Sequence, residues 1–166
     1  MPSATEPDPA AFRRVVGRFA TGVCVLTAVD GAADHAMTAN AFTSVSLDPM
    51  LVLACVEIEA RFHDAVLNTG KWAVSILDET ARPVSDWLAS RGRPLHGQLD
   101  RIPFHRGPQT GAALLDAAIG WLECRTTAVH PGGDHSIVVA EVIGVELGAD
   151  RTDPLIYFRS SYHKLS

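Results

Sequence analysis

The sequence predicts a mainly β protein, an antiparallel barrel or α+β arrangement with peripheral helices, and three observations lead there. Strand-like runs outnumber helical ones and do not alternate regularly with them, which argues against a doubly wound sheet. The last third holds two long β runs, residues 117–130 and 135–147, joined by the hairpin-like turn Pro131-Gly132-Gly133-Asp134. In the second run both alternating faces are apolar, with Ile137, Val139, Ile143 and Val145 on one and Val138, Ala140 and Val142 on the other. A barrel strand that is also covered on its outer side, for example by a dimer interface, reads this way.

Taken in order, residues 1–7 read as a disordered lead-in and residues 8–166 as one domain. Asp8-Pro9 is an N-cap followed by proline in the first helical position. Phe12, Val15, Val16 and Phe19 then recur at helical spacing, so one face of this helix is expected to be buried, and Thr21-Gly22 is expected to end it. Residues 23–29 are rich in β-branched side chains and read as a strand, closed by an Asp30-Gly31 turn with residues 35–39 as hairpin partner. Residues 51–56 form a second strong strand. Residues 60–69 are helical, with Phe62, Ala65 and Val66 on one face and Gly70 as the C-terminal stop. Residues 72–77 follow as a strand and 78–90 as a helix capped by Asp78, with Pro83 in an irregular first turn. Residues 91–111 are a Gly/Pro-rich excursion with a short strand near Phe104, and residues 155–158 a last short strand. Trp72, Trp87 and Trp121 fall at apolar-face positions and are expected in the core.

Net charge is −5 and the arginines are scattered, the densest group being Arg91 and Arg93 with Arg101 and Arg106 beyond. A nucleic-acid-binding surface is not expected from that pattern. No apolar stretch approaches the ~20 residues of a membrane span; residues 136–147 come closest and are interrupted by Glu141 and Glu146. Glu6 and Asp8 among prolines make no signal peptide, so a cytoplasmic protein is expected. Cys24, Cys55 and Cys124 are widely spaced in apolar surroundings and read as reduced core thiols. His130 and His135 flank a turn with no third ligand evident, so no metal site is expected.

Residues 37–49 carry the most distinctive chemistry. Met37, Thr38, Ala39, Asn40, Ala41, Thr43, Ser44, Val45 and Ser46 are mostly small or hydroxyl-bearing, and an apolar run follows at once. Such a segment can lie close against a flat polar ligand, offering backbone and side-chain partners. It can equally be a polar turn leading into a buried strand. No Gly-x-Gly-x-x-Gly follows a strand and no phosphate-binding P-loop is present, so a nucleotide would have to be held by other means.

Five landmarks in order resemble the short flavin reductases, proteins of the FMN-binding split-barrel type. They are Phe19-Ala20-Thr21-Gly22-Val23, the stretch 37–49, the run 51–56, Gly133-Asp134-His135, and Leu155-Ile156-Tyr157-Phe158-Arg159. The resemblance implies an antiparallel split β-barrel that reduces FMN or FAD with NADH or NADPH, works as a homodimer, and feeds reduced flavin to a separate flavin-dependent monooxygenase. It implies that Met37, Thr38, Ala39, Asn40 and Ala41 run past the isoalloxazine ring. Ser44, Val45 and Ser46 would lie towards the ribityl phosphate, and Cys55, Val56 and Glu57 beside the flavin. Arg61, Phe62 and His63 would approach the phosphate end from a helix start. His135 would contact the nicotinamide, and Tyr162, with Tyr157 and Arg159, would close over the cofactor. Two departures from the family pattern stand out: Ala36 replaces a common glycine, and Glu59, Ala60 and Arg61 replace a hydroxyl pair. No catalytic nucleophile or acid–base pair is implied, because hydride transfer belongs to the cofactors. The alternatives are a flavin-binding carrier or sensor without nicotinamide chemistry, and a split-barrel oxidase of pyridoxamine-phosphate-like substrates. Arg91, Arg93 and His96 either meet the adenine end of a dinucleotide or form a solvated loop, and the loop is the expectation.

Overall fold

The computed structural model describes residues 6–150 and 152–166, so residues 1–5 of the expected lead-in lie outside the described residues. Helix α1 (Pro9–Val16) begins as expected: the Asp8 carboxylate accepts the N–H groups of Ala10 and Ala11 at 3.0 and 3.1 Å. It stops earlier than expected, at Gly17, and Thr21–Gly22 forms strand β1 instead. The expected buried face is corrected too. Phe12, Val15, Val16 and Phe19 are 64, 69, 51 and 77% exposed. Helical spacing reports that a face wants cover; it does not say whether this chain supplies it.

Strands β2 (Cys24–Asp30) and β3 (Ala33–Ala39) make the expected hairpin, with Gly31 at φ +61° in its turn. Strand β4 (Phe42–Leu47) was not foreseen; it pairs with β5 (Met50–Glu57). Helix α2 (Arg61–Thr69) buries Phe62, His63, Ala65 and Val66 and ends on Gly70 in the left-handed region. Strand β6 (Lys71–Leu77) leads to helix α3 (Arg82–Ala89). That helix is shorter than expected, since Pro83 suits only a first turn. Asp78 is no helix cap: its carboxylate holds Thr80 through N–H and hydroxyl, at 2.8 and 2.6 Å, in a turn before the helix. Short strands β7 (Phe104–Arg106) and β8 (Ala113–Leu115) pair with each other. The long hairpin β9 (Ala118–Gly132) and β10 (His135–Leu147) follows, then β11 (Ile156–Phe158) and β12 (Ser161–His163), with β11 also pairing to β1.

The main sheet is antiparallel in the order β3-β2-β6-β9-β10-β5-β4. Its two edges, β3 and β4, are neighbours in sequence yet do not pair among the described residues. Between those edges the sheet wraps around one interior, because Leu26 of β2, Val74 of β6, Cys124 of β9, Val138 of β10 and Ala54 of β5 share a single core with Trp72. Phe62 and Val66 of α2 join the same core. This is the expected split barrel, open along the β3/β4 seam.

Barrel residues that point outward fasten the β7–β8 excursion over β2, β6 and β9. The Thr27 hydroxyl donates to Ala113 O at 2.6 Å, Leu115 N–H donates to Ser75 Oγ at 3.0 Å, and Trp121 Nε1 donates to Leu115 O at 2.7 Å. Trp72 and Trp121 are buried as expected, whereas Trp87 is 41% exposed and tied by Nε1 to Gln98 O at 2.8 Å. A tryptophan on a short amphipathic helix can keep its apolar face packed and its edge wet.

All three cysteines are free. Burial pushes the Cys24 and Cys124 thiols up to about 12, with Glu123 adding to the effect on Cys124. Cys55 is only half buried. A thiol reagent at mildly alkaline pH is therefore expected to modify one cysteine of the folded protein rapidly, and Cys55→Ser should abolish that phase. Fast modification that survives Cys55→Ser would show that the barrel interior opens readily.

Candidate flavin and nicotinamide site

Strand β3 runs out at Ala39 and the chain crosses the seam through Asn40 and Ala41 into β4. Ala41 O accepts the Cys55 N–H at 2.9 Å, which lays the crossing against the end of β5. The Cys24 thiol donates to Ala39 O at 3.3 Å. The Thr38 hydroxyl donates to Ser85 O on α3 at 2.8 Å, and Ser85 Oγ lies 2.7 Å from the Tyr162 hydroxyl. Tyr157 and Tyr162 meet edge to face at 5.5 Å. Thr38, Ala39 and Asn40 line a groove of about 180 Å³ whose other wall includes Tyr157 and Tyr162. The larger clefts, about 440 and 480 Å³, lie along the 94–106 excursion, away from the seam crossing.

On the far side of the crossing, His135 stands opposite Glu57 in the β5/β10 register, and Ile58 N–H donates to Asp134 O at 3.0 Å. His135 Nδ1 is 2.7 Å from the Asp134 carboxylate. That hydrogen bond, and then the histidine's charge, hold Asp134 below its ordinary value. Arg91 donates to both Glu57 carboxylate oxygens, at 2.9 and 3.2 Å. Arg61 donates to Arg93 O at 2.6 Å. Arg93 in turn donates to Ala36 O, to Ser90 O and to Gln98 Oε1, while Gln98 Nε2 donates to Asp34 O at 2.9 Å. These bonds clasp residues 91–98 to β3. Burial, followed by the nearby Arg61 charge, lowers Arg93 from the ordinary arginine value. Arg93 is thus a fixed part of the wall, not the solvated loop residue expected, and His96 alone of that group is exposed without a clasp.

The expected site residues separate into three groups. Thr38 to Ala41 meet Cys55 at the crossing through the Ala41 O bond, Glu57 pairs with His135 two positions farther along β5, and Arg61 is tied to the 91–98 segment through Arg93 O. Tyr162 faces Thr38, Ala39 and Asn40 across the groove. Ser44, Val45 and Ser46 continue along the β4 edge, where a bulge shifts the register: Ser44 stands opposite Val52 and Ser46 opposite Leu51. Consecutive partners lie on opposite faces of a strand, so the bulge separates two hydroxyls that simple alternation would align. The third group stands behind the wall. Val56 and Phe62 are core side chains, 1 and 3% exposed, and Met37 packs against the same core. His63 is buried with Nε2 2.8 Å from Ser136 Oγ, and its Nδ1, 3.5 Å from Asp64 Oδ1, has no hydrogen-bond partner among the described residues. Those residues can reach a ligand only through their backbone or through the α2 N-terminus, which Ala60 leaves without a side-chain cap. Ser85 was missed at the sequence level. Nothing local marks it, because its partners Thr38 and Tyr162 are far away in the chain.

A flat ring with a polar edge and an anionic tail fits this arrangement. Small residues allow close approach at the crossing, exposed β4 backbone offers donors, and arginines beside an uncapped helix start offer positive charge. Residues 16–166 match the flavin reductase like domain family. The chain is 37% identical over 163 residues to an NADH-dependent flavin reductase of a Rhodococcus species, spanning 96% of this chain and 88% of that protein. It is 40% identical over 155 residues to the reductase component of 4-hydroxyphenylacetate 3-monooxygenase from Thermus thermophilus, spanning 93% of this chain and 95% of that protein. Among solved structures, BorF, the flavin reductase component of a bacterial two-component tryptophan halogenase, matches with a TM-score of 0.89 at 42% identity, over 95% of this chain and 98% of that one.

Proposed function

The chain belongs to the flavin reductase-like family, and from that membership we propose how its seam crossing serves NADH-dependent flavin reduction. The protein is an oxidoreductase that moves hydride from a nicotinamide nucleotide to FMN or FAD and supplies reduced flavin to a separate oxygenating partner. The observation that carries the site assignment is the passage of Thr38 to Ala41 across the open seam against β5 at Cys55, with His135 two register pairs beyond at Glu57.

Hydride transfer between two stacked rings is the cofactors' own chemistry, so the protein's work is binding, orientation and exclusion of water. In this assignment Thr38 to Ala41 hold the polar edge of the flavin ring. The Thr38–Ser85–Tyr162 chain of hydrogen bonds fixes the opposite wall. Arg61 and the α2 start receive the phosphate. His135, oriented through Nδ1 by Asp134, offers its other ring nitrogen to the nicotinamide nucleotide.

A groove of about 180 Å³ is smaller than the ~300–1,000 Å³ typical of ligand pockets, so a second copy completes it. The exposed apolar face of α1 and the half-exposed outward residues Leu51, Leu53, Ile137 and Val139 give a homodimer its surface. Among the described residues no helix is long and apolar enough to cross a membrane, and three free thiols suit the reducing cytoplasm.

Oxidation of NADH and NADPH, followed with FMN, FAD or no flavin added, tests the reading. Turnover that saturates with flavin is expected. A yellow protein that oxidises neither nucleotide would leave a flavin carrier. His135→Ala is expected to raise KM for NADH by about 5–150-fold with kcat little changed, corresponding to ~1–3 kcal/mol of lost binding. An unchanged KM would remove His135 from the nicotinamide site.

A further inference from the structure

In a chain of net charge −5, four arginines converge at a place to which the assignment above gives no role, apart from the closure over the cofactor that the resemblance implies for Arg159. Arg13, Arg14, Gly17, Arg18, Arg159 and Ser160 line a pocket of about 310 Å³. Its two halves are joined by backbone, Arg159 N–H donating to Gly17 O at 2.8 Å. The two segments lie in ordinary van der Waals contact, a Cβ at Gly17 coming 3.9 Å from Arg159 Cα. Arg13, Arg18 and Arg159 form no ion pair among the described residues, and Arg14 reaches Asp8 only at 3.9 Å with both side chains exposed. A helix C-terminus favours Arg13 and Arg14, but it does not account for Arg18 or Arg159.

The hairpin tip gives an independent sign. Arg159 and Ser160 both have positive φ, 51° and 60°, in the two-residue turn between β11 and β12. Asn-Gly or Gly-Gly makes such turns without strain, and L side chains held there cost ~1–2 kcal/mol each. Strained side chains kept at a surface turn point to work done by those side chains. The same hairpin carries the Tyr157–Tyr162 pair that walls the groove, two positions back along each strand, or about 7 Å.

We propose that Arg13, Arg14, Arg18, Arg159 and Ser160 form a phosphate pocket for the diphosphate of a dinucleotide whose ring end occupies the groove. Arginine forks match phosphate oxygens in pairs. The ligand class rests on the reductase reading, and it has two sources, NADH and FAD, which share an ADP moiety.

ADP alone is therefore the probe. Calorimetry at low salt is expected to show ADP binding that weakens about tenfold or more in Arg18→Ala and in Arg159→Gly, and less in Arg159→Lys. Arg159→Gly also relieves the turn, so it should unfold at the same or a higher temperature than the parent, which separates lost binding from lost folding. KM values then identify the source: a rise for NADH with FMN as acceptor assigns the pocket to the hydride donor, and a rise for FAD but not FMN assigns it to the flavin. No ADP binding, equal binding by parent and variants, or weaker ADP binding with neither KM changed would overturn the proposal. A protein that turns over while its ADP binding ignores Arg159 loses only the pocket. One that binds ADP through Arg159 but oxidises no reduced nicotinamide loses only the reductase reading.

Discussion

Replacing Trp72 by alanine is expected to cost about 3–5 kcal/mol of stability, read as a shifted denaturant midpoint with an unchanged slope. Trp72 is 0% exposed and sits among Leu26, Val74, Cys124 and Val138, so strands from both halves of the wrapped sheet pack on one ring. Its Nε1 donates to Thr126 Oγ1 at 3.1 Å, so the substitution leaves a polar atom alone as well as a cavity. For a chain of this size the thermal midpoint should fall by roughly 6–20 °C. The half-exposed Trp87 is the control, and its replacement should cost far less. A Trp72→Ala protein within about 1 kcal/mol of the parent would mean that the barrel interior collapses around the missing ring, and that close packing there does not hold the two halves together.

Glu123→Leu has the next largest expected effect, a loss of about 2–4 kcal/mol. Glu123 is 4% exposed, and one carboxylate oxygen accepts Gln109 N–H at 2.9 Å, Thr110 N–H at 2.8 Å and the Thr110 hydroxyl at 2.8 Å. Those three donors stand in for the water that a buried carboxylate loses. Leucine fills the space but strands the donors, and the turn leading into β8 should loosen first, seen as faster amide exchange at Gln109 and Thr110. Glu123→Gln keeps an acceptor in place and should cost about 1 kcal/mol. Equal losses for leucine and glutamine would show that charge, and not the supply of an acceptor, fixes this turn. The room for the carboxylate comes from glycine: a Cβ at Gly144 would lie 2.7 Å from its second oxygen.

The parts of the fold that could be read from sequence are those in which burial imposes a pattern. Strand β5, and β10 from His135 to Ile143, alternate between core and outer face, and α2 announces itself by Phe62, Ala65, Val66 and Gly70. Strand β4 is invisible by the same logic. Thr43, Ser44 and Val45 are exposed on an edge, so their composition is that of a loop, and only pairing with β5 makes them a strand. Strands β8 and β12 are too short to show a period. The face of α1 is legible as apolar, but the described residues do not cover it. At the site, hydroxyls and small residues marked the crossing, and the family resemblance gave them a ligand. Arg93 and Ser85 act through bonds to Ala36 and Thr38, and such distant partners leave no local trace.

The open seam has a consequence for how this wall can vary. Every other strand boundary of the main sheet is a ladder of backbone hydrogen bonds, so displacing one strand strains its neighbours around the barrel. At the seam no ladder joins β3 to β4, and among the described residues β4 pairs with β5 alone. Its exposed side chains Thr43, Ser44 and Val45 can be exchanged with little loss of stability elsewhere, whereas Phe42 packs against the main core. The exposed part of this edge is thereby insulated from the elements that hold the molecule folded.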